Sequence, residues 1–276
     1  KTFCASGSST AWLLTVGPTG AVDPESFVHA KYIVIWACNS ISTNLHHWPF
    51  VLEAQKRGAK VVVIDSYRSR TAKAGDWHIC PRPGTDGALA MSFINSIIEQ
   101  GLVDQDYVDK YTYGYPELKE RAAEFTPEYV EKVTGVKAAD IAKFAREFAT
   151  AQPSVIRLGV ALERSVGGGQ AIRAACCLPA LVGSWRHVGG GLLQMPLWDF
   201  PIDWAKAARP DWIKPGTRVV NNLKLGAALT GEMPLDPPIK SLFVFCTNPV
   251  SQAPETNKIV QGLQREDLFT VVAEHF

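Results

Sequence analysis

Apolar runs followed by helical patterns recur along the chain and predict parallel β–α units. Residues 31–36 (KYIVIW) and 60–65 (KVVVID) are apolar over most of their length and rich in β-branched side chains. Such runs are typical of strands that are buried on both faces of a parallel sheet. Between them, a polar loop leads into a helix predicted over residues 49–57, which Gly58 ends. The pattern predicts a βαβ unit with a right-handed crossover.

A series of helices is predicted after a third short strand at residues 77–80. The predicted helices span 87–100, 104–112, 116–125, 127–133 (capped by Thr126) and 138–150. Strands that alternate with helices in this way indicate a doubly wound α/β fold with a mostly parallel sheet. We therefore expect an α/β nucleotide-binding domain over residues 22–150, with residues 1–21 as a segment leading into it.

A second α/β pattern begins after residue 150. Its predicted elements are a strand at 154–159, a helix at 170–183 after a glycine turn, a strand at 241–246, a helix near 255–264 and a strand at 269–272. Residues 195–237 are rich in Pro, Trp and Asp and are predicted to form a long loop. Loops of that length are usually functional or cover another domain. We expect residues 151–276 to form a second, incomplete α/β domain.

Composition and charge exclude several classes of protein. The 276 residues are 46% hydrophobic and carry a formal net charge of +1, which is typical of a folded globular chain without a field for recruiting nucleic acid. No apolar run reaches the length of a membrane span, so direct membrane insertion is not expected. The chain opens on Lys1 without an initiator Met or a signal sequence. We therefore expect a piece of a longer protein, whose location in the cytoplasm or periplasm stays open.

The cysteines and histidines do not have the spacing of a zinc or iron–sulfur site. Five cysteines are predicted to be small buried apolar residues: Cys38, Cys80, Cys176, Cys177 and Cys246. The adjacent His46 and His47 are predicted to point to different faces of their element, and no histidine is predicted to bind a metal. The chain also lacks a nucleophile elbow, a Walker loop and a dinucleotide fingerprint.

Polar residues follow the predicted strands, at the edge where ligands bind in open α/β sheets. The candidate cofactor-binding residues are Asn39 and Ser40 after the first strand, Asp65, Ser66, Arg68 and Arg70 after the second, Gly84, Thr85 and Asp86 after the third, and Thr247 and Asn248 after the strand at 241–246. Because the carboxyl ends of parallel strands meet at one edge, the first three clusters are expected to lie together.

Each cluster has both a ligand-binding and a structural interpretation. Asp65 ends the second strand of a βαβ unit, where a carboxylate often meets a ribose or a base edge, but it can equally cap a turn. Arg68 and Arg70 suit a phosphate, or are simply solvated. Residues 83–86 offer free amides at a helix start, or only a helix cap. The Asn248–Pro249 pair on its own indicates a turn.

The order of these motifs resembles a known family. The motifs are IVIWACN at 33–39, VIDSYRSRTA at 63–72, PGTDGAL at 83–89, LVG at 181–183, GGG at 189–191 and NP at 248–249. Together they resemble the dimethyl sulfoxide reductase superfamily of molybdopterin oxidoreductases. The resemblance implies two molybdopterin guanine dinucleotides (bis-MGD) around one Mo or W, with one α/β domain for each nucleotide arm.

By this resemblance, Asn39, Asp65, Arg68 and residues 84–86 hold one guanine nucleotide, and Asn248 with its neighbours holds the other. Two motifs depart from the family pattern: Ser40 replaces a proline, and Asp65–Arg68 carries one extra residue. An iron–sulfur cluster would belong only to a preceding N-terminal region. Cys4 lies at about the distance at which the family places a metal ligand before the first strand. A thiolate suits Mo or W, so Cys4 is a candidate ligand, the alternative being an ordinary terminal cysteine.

The resemblance implies an enzyme that carries out two-electron chemistry on a small-molecule substrate, with an electron-transfer subunit as a partner. This piece alone is expected to be inactive. Two other functions stay open. One is a cofactor-free relative that acts as a structural or electron-transfer subunit, and the other is a generic nucleotide-binding module. Metal content would separate the first alternative from the enzyme, and guanine selectivity would separate the second.

Overall fold

The computed structural model describes residues 4–18, 21–195 and 202–275. The chain divides into two compact units. Of the described residues, the first unit comprises 7–18 and 21–195, and the second comprises 202–275 together with 4–6. Among the residues that the structure describes, no helix has the length and hydropathy that a membrane span requires.

The first unit is built on a five-stranded parallel sheet. Its strands are β1 (Tyr32–Trp36), β2 (Lys60–Ile64), β3 (Trp77–Ile79), β4 (Ser154–Leu158) and β5 (Gly191–Leu193). Their order is β3-β2-β1-β4-β5, and every neighbouring pair is parallel. Starting from β1, the chain adds β2 and β3 on one side of the sheet and then β4 and β5 on the other. The prediction of a doubly wound, parallel α/β fold is confirmed.

Helices lie on both faces of this sheet. They are α1 (Ser6–Thr15), α2 (Ser40–Thr43), α3 (Trp48–Lys56), α4 (Arg70–Ala74), α5 (Asp86–Glu99), α6 (Gln105–Tyr111), α7 (Tyr115–Ala122), α8 (Pro127–Thr134), α9 (Ala138–Thr150) and α10 (Gly168–Leu181). Thr126 caps α8 as predicted, since its hydroxyl accepts from the Tyr129 amide. Short 3-10 helices occupy Pro24–His29, Val160–Arg164 and Ser184–Arg186.

The central strands are buried because apolar side chains cover both faces of the sheet. On one face, Trp36 packs edge-on against Phe93 of α5, with 5.9 Å between the ring centroids, and Phe93 stacks on Phe144 of α9. On the other face, Ile33 and Ile35 pack with Val51 of α3 and the 3-10 helix before β1. All five residues of β1 are buried, which is the environment that the sequence pattern predicts for a central parallel strand.

The second unit contains a two-stranded parallel sheet of β6 (Ser241–Phe245) and β7 (Phe269–Ala273). Its helices are α11 (Trp204–Ala208), α12 (Leu225–Thr230), α13 (Pro249–Gln252) and α14 (Thr256–Leu263). Helices α12 and α14 pack together around Leu229 and Ile259, both fully buried. The predicted loop at 195–237 therefore contains helical turns where it is described, and its residues 196–201 lie outside the described residues.

The structure corrects the predicted domain boundary at residue 150. Strand β4 pairs with β1 in the first sheet, so residues 151–195 belong to the first unit and not to a second domain. The sequence interpretation treated this strand as the start of a second α/β domain, because the local pattern of a strand and a helix does not reveal which sheet the strand joins. The leading segment 1–21 also contains helix α1, whose Ala11 and Trp12 are buried in the first core.

Candidate functional site

A cavity of about 210 Å³ opens at the carboxyl edge of the first sheet. Residues that follow four different strands line it: Ala37, Asp65, Ser66, Pro83, Gly84, Asp86, Ala161, Leu162, Arg164 and Ser165. The edge between β1 and β4 is where the strand order reverses, which is the position at which doubly wound folds bind ligands. The cavity therefore lies where the sequence analysis predicts a ligand.

The backbone is conformationally constrained where β1 and β4 end. Ala37 has a φ of 50°, a left-handed conformation that residues other than glycine rarely adopt. Beside it, a Cβ on Gly159 would lie 1.8 Å from the Ala37 carbonyl oxygen, so only glycine fits there. Sparsely populated backbone conformations of this kind cluster at ligand sites, and here one borders the cavity.

Asp65 lies half-buried at the end of β2. Its Oδ1 accepts a hydrogen bond from the Tyr67 amide at 3.2 Å, and its backbone carbonyl accepts from His78 Nε2 at 2.8 Å. Burial raises the pKa of the Asp65 carboxyl above its ordinary value of 3.8, and the nearby Asp86 adds to the rise, while the Tyr67 amide and His78 oppose it. A carboxylate that is costly to leave desolvated gains from a ligand that donates hydrogen bonds.

Asp86 is the first residue of the 14-residue helix α5. Its Oδ1 accepts from Trp36 Nε1 at 2.8 Å, so the buried indole fixes the carboxylate at the cavity wall. Gly84 also lines the cavity. Thr85 does not, because its hydroxyl donates to the Arg82 carbonyl at 2.7 Å. The start of α5 thus places Gly84 and one oriented carboxylate, that of Asp86, at the cavity wall.

Asn39 and Ser40 lie at the same edge but do not line the cavity. Asn39 Oδ1 accepts from the Thr71 hydroxyl at 2.8 Å, which ties the turn after β1 to helix α4. Ser40 is fully buried, with its hydroxyl 3.6 Å from Cys38 Sγ. In this structure, both side chains shape the turn around Ala37.

Three arginines belong to this edge. Arg68 and Arg70 are exposed and lie outside the cavity lining. Arg164 lines it together with Ser165, and sequence reasoning missed both. Both residues follow β4. The sequence analysis selected polar residues that follow strands of the first sheet, and it would have included these two if β4 had been assigned to that sheet.

The second unit repeats the turn geometry of the first. Cys246 has a φ of 50°, the same as Ala37, and each residue directly follows its strand. Two residues further on, Asn248 and Asn39 each stand immediately before a short helix. The matching sequences are IWACNS at 35–40 and VFCTNP at 244–249.

The predicted residues of the second unit make local hydrogen bonds. Asn248 Oδ1 accepts from the Ser251 amide at 3.2 Å, and the Thr247 hydroxyl lies 2.9 Å from Gln252 Oε1. Both residues are exposed. Glu274 follows β7 as Asp65 follows β2, and its Oε1 accepts from the His275 amide at 2.7 Å. The repeat therefore adds Glu274 to the candidate residues.

The cysteines differ in part from the prediction. Cys38 and Cys176 are buried and Cys177 is partly buried, but Cys80 and Cys246 are exposed, which contradicts their assignment as buried apolar residues. Each of the two directly follows an apolar strand, where the chain leaves the core. Cys4 is exposed and precedes α1 by two residues. The described residues contain no group of three or more side chains arranged to hold a metal ion.

The fold places the chain among doubly wound α/β proteins, and its cavity lies at the point where the strand order reverses. A family model described as molybdopterin oxidoreductase matches residues 9–276. The chain therefore belongs to the molybdopterin oxidoreductase family, and the resemblance drawn from its motifs is confirmed.

The relatives that match this chain are longer proteins. The probable oxidoreductase YoaE of Bacillus subtilis (strain 168) is 40% identical over 277 residues, which cover 100% of this chain and 40% of that protein. Acetylene hydratase of Syntrophotalea acetylenica is 40% identical over 199 residues, covering 68% of this chain and 27% of that protein. The chain thus spans two fifths or less of these relatives.

A solved structure shares the fold. Acetylene hydratase from Pelobacter acetylenicus superposes with a TM-score of 0.75 at 24% identity, covering 98% of this chain and 42% of that one. At this level of identity, the likeness concerns the fold alone. It agrees with the parallel α/β architecture described above.

Proposed function

We propose that this chain forms the part of a molybdenum- or tungsten-pterin enzyme that binds the guanine dinucleotide arms of a bis-MGD cofactor. Membership of the molybdopterin oxidoreductase family supports a molybdopterin cofactor. The observation that carries the finer proposal is the cavity at the carboxyl edge of the first sheet, with Asp65, Asp86 and Arg164 in its wall.

The cavity suits one part of a nucleotide. Its volume of about 210 Å³ is below the roughly 300–1,000 Å³ of pockets that enclose whole drug-sized ligands. A single planar base would occupy the cavity, and the remainder of the dinucleotide would run outside along the edge of the sheet. Asp65 and Asp86 would accept hydrogen bonds from the N–H groups on the guanine edge, and the exposed Arg68 and Arg70 would attract the pyrophosphate.

The second unit would hold the other arm in the same manner. In its turn, the residue directly after the strand has the same left-handed backbone conformation as Ala37, and Thr247 and Asn248 follow it. Glu274 would take the part that Asp65 takes in the first unit. The repeated geometry supports this proposal, because a cofactor with two identical arms calls for two similar turns.

Cys4 would provide a thiolate ligand to the metal. When bound, the cofactor would supply the two-electron redox chemistry, and the chain would supply binding and orientation. Thiolates are soft ligands that suit such a metal. The partners we propose are a small-molecule substrate and an electron-transfer subunit, and we expect this chain alone to be inactive. The relatives include proteins named as oxidoreductases and one named as a hydratase, so family membership leaves the substrate open.

Guanine selectivity tests the proposed cavity. Titration of GMP into the chain by calorimetry should show binding with a dissociation constant of about 1 mM or tighter, and AMP should bind at least about tenfold more weakly. Asp65→Ala should abolish the preference for GMP. Glu120→Ala, which removes an exposed carboxylate of α7 outside the cavity lining, is the matched control.

Either of two results would contradict the proposal. Equal binding of GMP and AMP would indicate a generic nucleotide site. Full GMP selectivity in Asp65→Ala would place the base elsewhere.

A further inference from the structure

Glu163 carries a buried carboxylate in the 3-10 helix that follows β4. Its side chain is only 4% exposed. Its Oε2 accepts a hydrogen bond from the backbone amide of Ser8 at 2.6 Å, across 155 positions of sequence. Ser8 lies in the first turn of α1, whose amides have no partner within the helix. Glu163 therefore caps this helix from a distant part of the chain.

The approach between Glu163 and α1 is close. A Cβ built on Gly7 would lie 2.8 Å from Glu163 Oε2, a distance that real Cβ atoms essentially never show. Glycine at this position lets the carboxylate reach the helix start. A charged oxygen at the positive end of a helix is stabilising, and its burial strengthens the hydrogen bond.

Helix α1 is also held near its middle and its end. Trp12 is buried in the first core and packs edge-on against Trp185, with ring centroids 6.5 Å apart. Near the other end, Arg173 Nε donates to the Thr15 hydroxyl at 3.3 Å. With its middle and its end held in this way, the direction in which the chain enters the helix depends on the contact at its start.

The remaining oxygen of Glu163, Oε1, lies near the guanidinium of Arg164. Arg164, which lines the cavity, approaches Glu163 Oε1 with its NH1 at 3.6 Å, beyond hydrogen-bond distance. Within the part of the chain that the structure describes, Oε1 is buried without a hydrogen-bond partner. A buried carboxylate oxygen without a hydrogen bond is costly, which argues that this side chain is kept for the bond that Oε2 accepts from the Ser8 amide.

We propose that Glu163 is a positioning residue that fixes the segment carrying Cys4. Cys4 is four residues before Ser8, so the covalent chain keeps their Cα atoms within about 14 Å. Loss of the cap would let the first turn of α1 fray, and the thiolate would then adopt several positions relative to the metal. This inference rests on the proposed function of Cys4 as a metal ligand.

The test uses the full-length protein isolated with its cofactor and combines two readouts. Hydrogen exchange of amides 6–9 reports the cap, and the electron paramagnetic resonance signal of the Mo(V) or W(V) state reports the metal ligands. Glu163→Ala should speed exchange at the start of α1 by about tenfold and replace a single metal signal with several. Glu163→Gln keeps an oxygen acceptor for Ser8 and should restore both readouts.

Asp23→Ala is the matched control. Asp23 caps another short helix by accepting from the Ser26 amide at 2.8 Å, so its loss should speed exchange only near residues 24–29 and leave the metal signal unchanged. Unchanged exchange at α1 in Glu163→Ala would overturn the cap, and faster exchange with an unchanged metal signal would overturn the positioning role. Cys4→Ala separates the two proposals, since an unaltered metal signal there would refute ligation by Cys4 while the exchange data still decide the cap.

Discussion

The two units use the same strand–turn–helix geometry but bury it to very different degrees. In the first unit, every residue of β1 is buried, and helices cover both faces of its sheet. In the second, Phe243 and Phe245 of β6 are 65% and 66% exposed, and Phe269 of β7 is 69% exposed. Parallel strands normally have both faces covered, and two strands alone are marginal. The comparison shows that the turn after the strand is encoded locally, whereas the stability of its sheet depends on what packs around it.

Hydrogen exchange of this chain should show the largest difference between the units. Amides of β1 and β2 lie in the core and should exchange only through global unfolding, whereas amides of β6 and β7 should exchange through local opening. We expect protection to differ by at least about a thousandfold, equivalent to 4 kcal/mol. Mass spectrometry of peptides from each sheet measures it, and equal protection would break the comparison.

Large-to-small substitutions of phenylalanine sharpen the same contrast. Phe93 is fully buried between Trp36 and Phe144, so Phe93→Ala should lower the free energy of unfolding by about 3–5 kcal/mol. Phe243→Ala removes a ring that is mostly exposed and should change this free energy by less than about 0.5 kcal/mol. Denaturant titration measures both values. A large loss in Phe243→Ala would show that β6 is packed more tightly than its exposure indicates.

A buried histidine makes the folding stability of the first unit decrease at acid pH. Burial, together with the nearby charge of Arg157, lowers the pKa of His47 from 6.5 to about 3. The unfolded chain binds a proton at this side chain below pH 6.5 while the folded chain does not, so stability is full above pH 6.5 and falls as the pH drops toward 3. Between pH 7 and pH 4, this effect lowers the free energy of unfolding by about 3 kcal/mol, and His47→Leu should abolish that part of the decrease.

Denaturant titrations between pH 7 and pH 4 check the role of His47. His46→Leu makes the same change at the exposed neighbour and serves as the matched control. An unchanged acid dependence in His47→Leu would show that this imidazole is protonated in the folded protein.

Helix caps give the smallest predicted effect. The Thr126 hydroxyl accepts from the Tyr129 amide at 3.3 Å at the start of the eight-residue α8, and Thr126→Ala should cost about 1 kcal/mol. Asn248 caps the four-residue α13 in the exposed second unit, so Asn248→Ala should cost less than about 0.5 kcal/mol. Thermal unfolding curves measure the loss of stability in both variants. Equal losses would contradict the expectation that a cap in the second unit contributes less to stability than a cap in the first.

Much of the first unit was predictable because its strands are continuous apolar runs. The strands at 32–36 and 60–64 and the helices at 86–99 and 138–150 lie within one residue or so of their predicted bounds. Helix α1 was not predicted, because its sequence SGSSTAWLLT begins with small polar residues and has little amphipathic pattern. The side of β1 on which β4 pairs was also missed, since pairing across more than 100 residues leaves no local signal.

The candidate site was predictable only in part. Asp65, Ser66, Gly84 and Asp86 line the cavity as expected from their place after strands. Asn39 and Ser40 instead stabilise the turn, because a side chain just after a strand can fold back onto its neighbours as easily as it faces a ligand. Arg164 and Glu163 could be recognised only from the structure, in which the loop after β4 lies beside the loops that follow β1, β2 and β3. The ligand roles of all these residues stay predictions.

The measurement that tests the central claim most directly is a metal and nucleotide analysis of the full-length protein purified from its native host. The account predicts Mo or W together with about two guanine nucleotides released per chain. Such a result would support the assignment of one guanine-binding edge to each unit. A folded full-length protein with neither metal nor guanine would contradict the account and indicate a cofactor-free relative that acts as a structural or electron-transfer subunit.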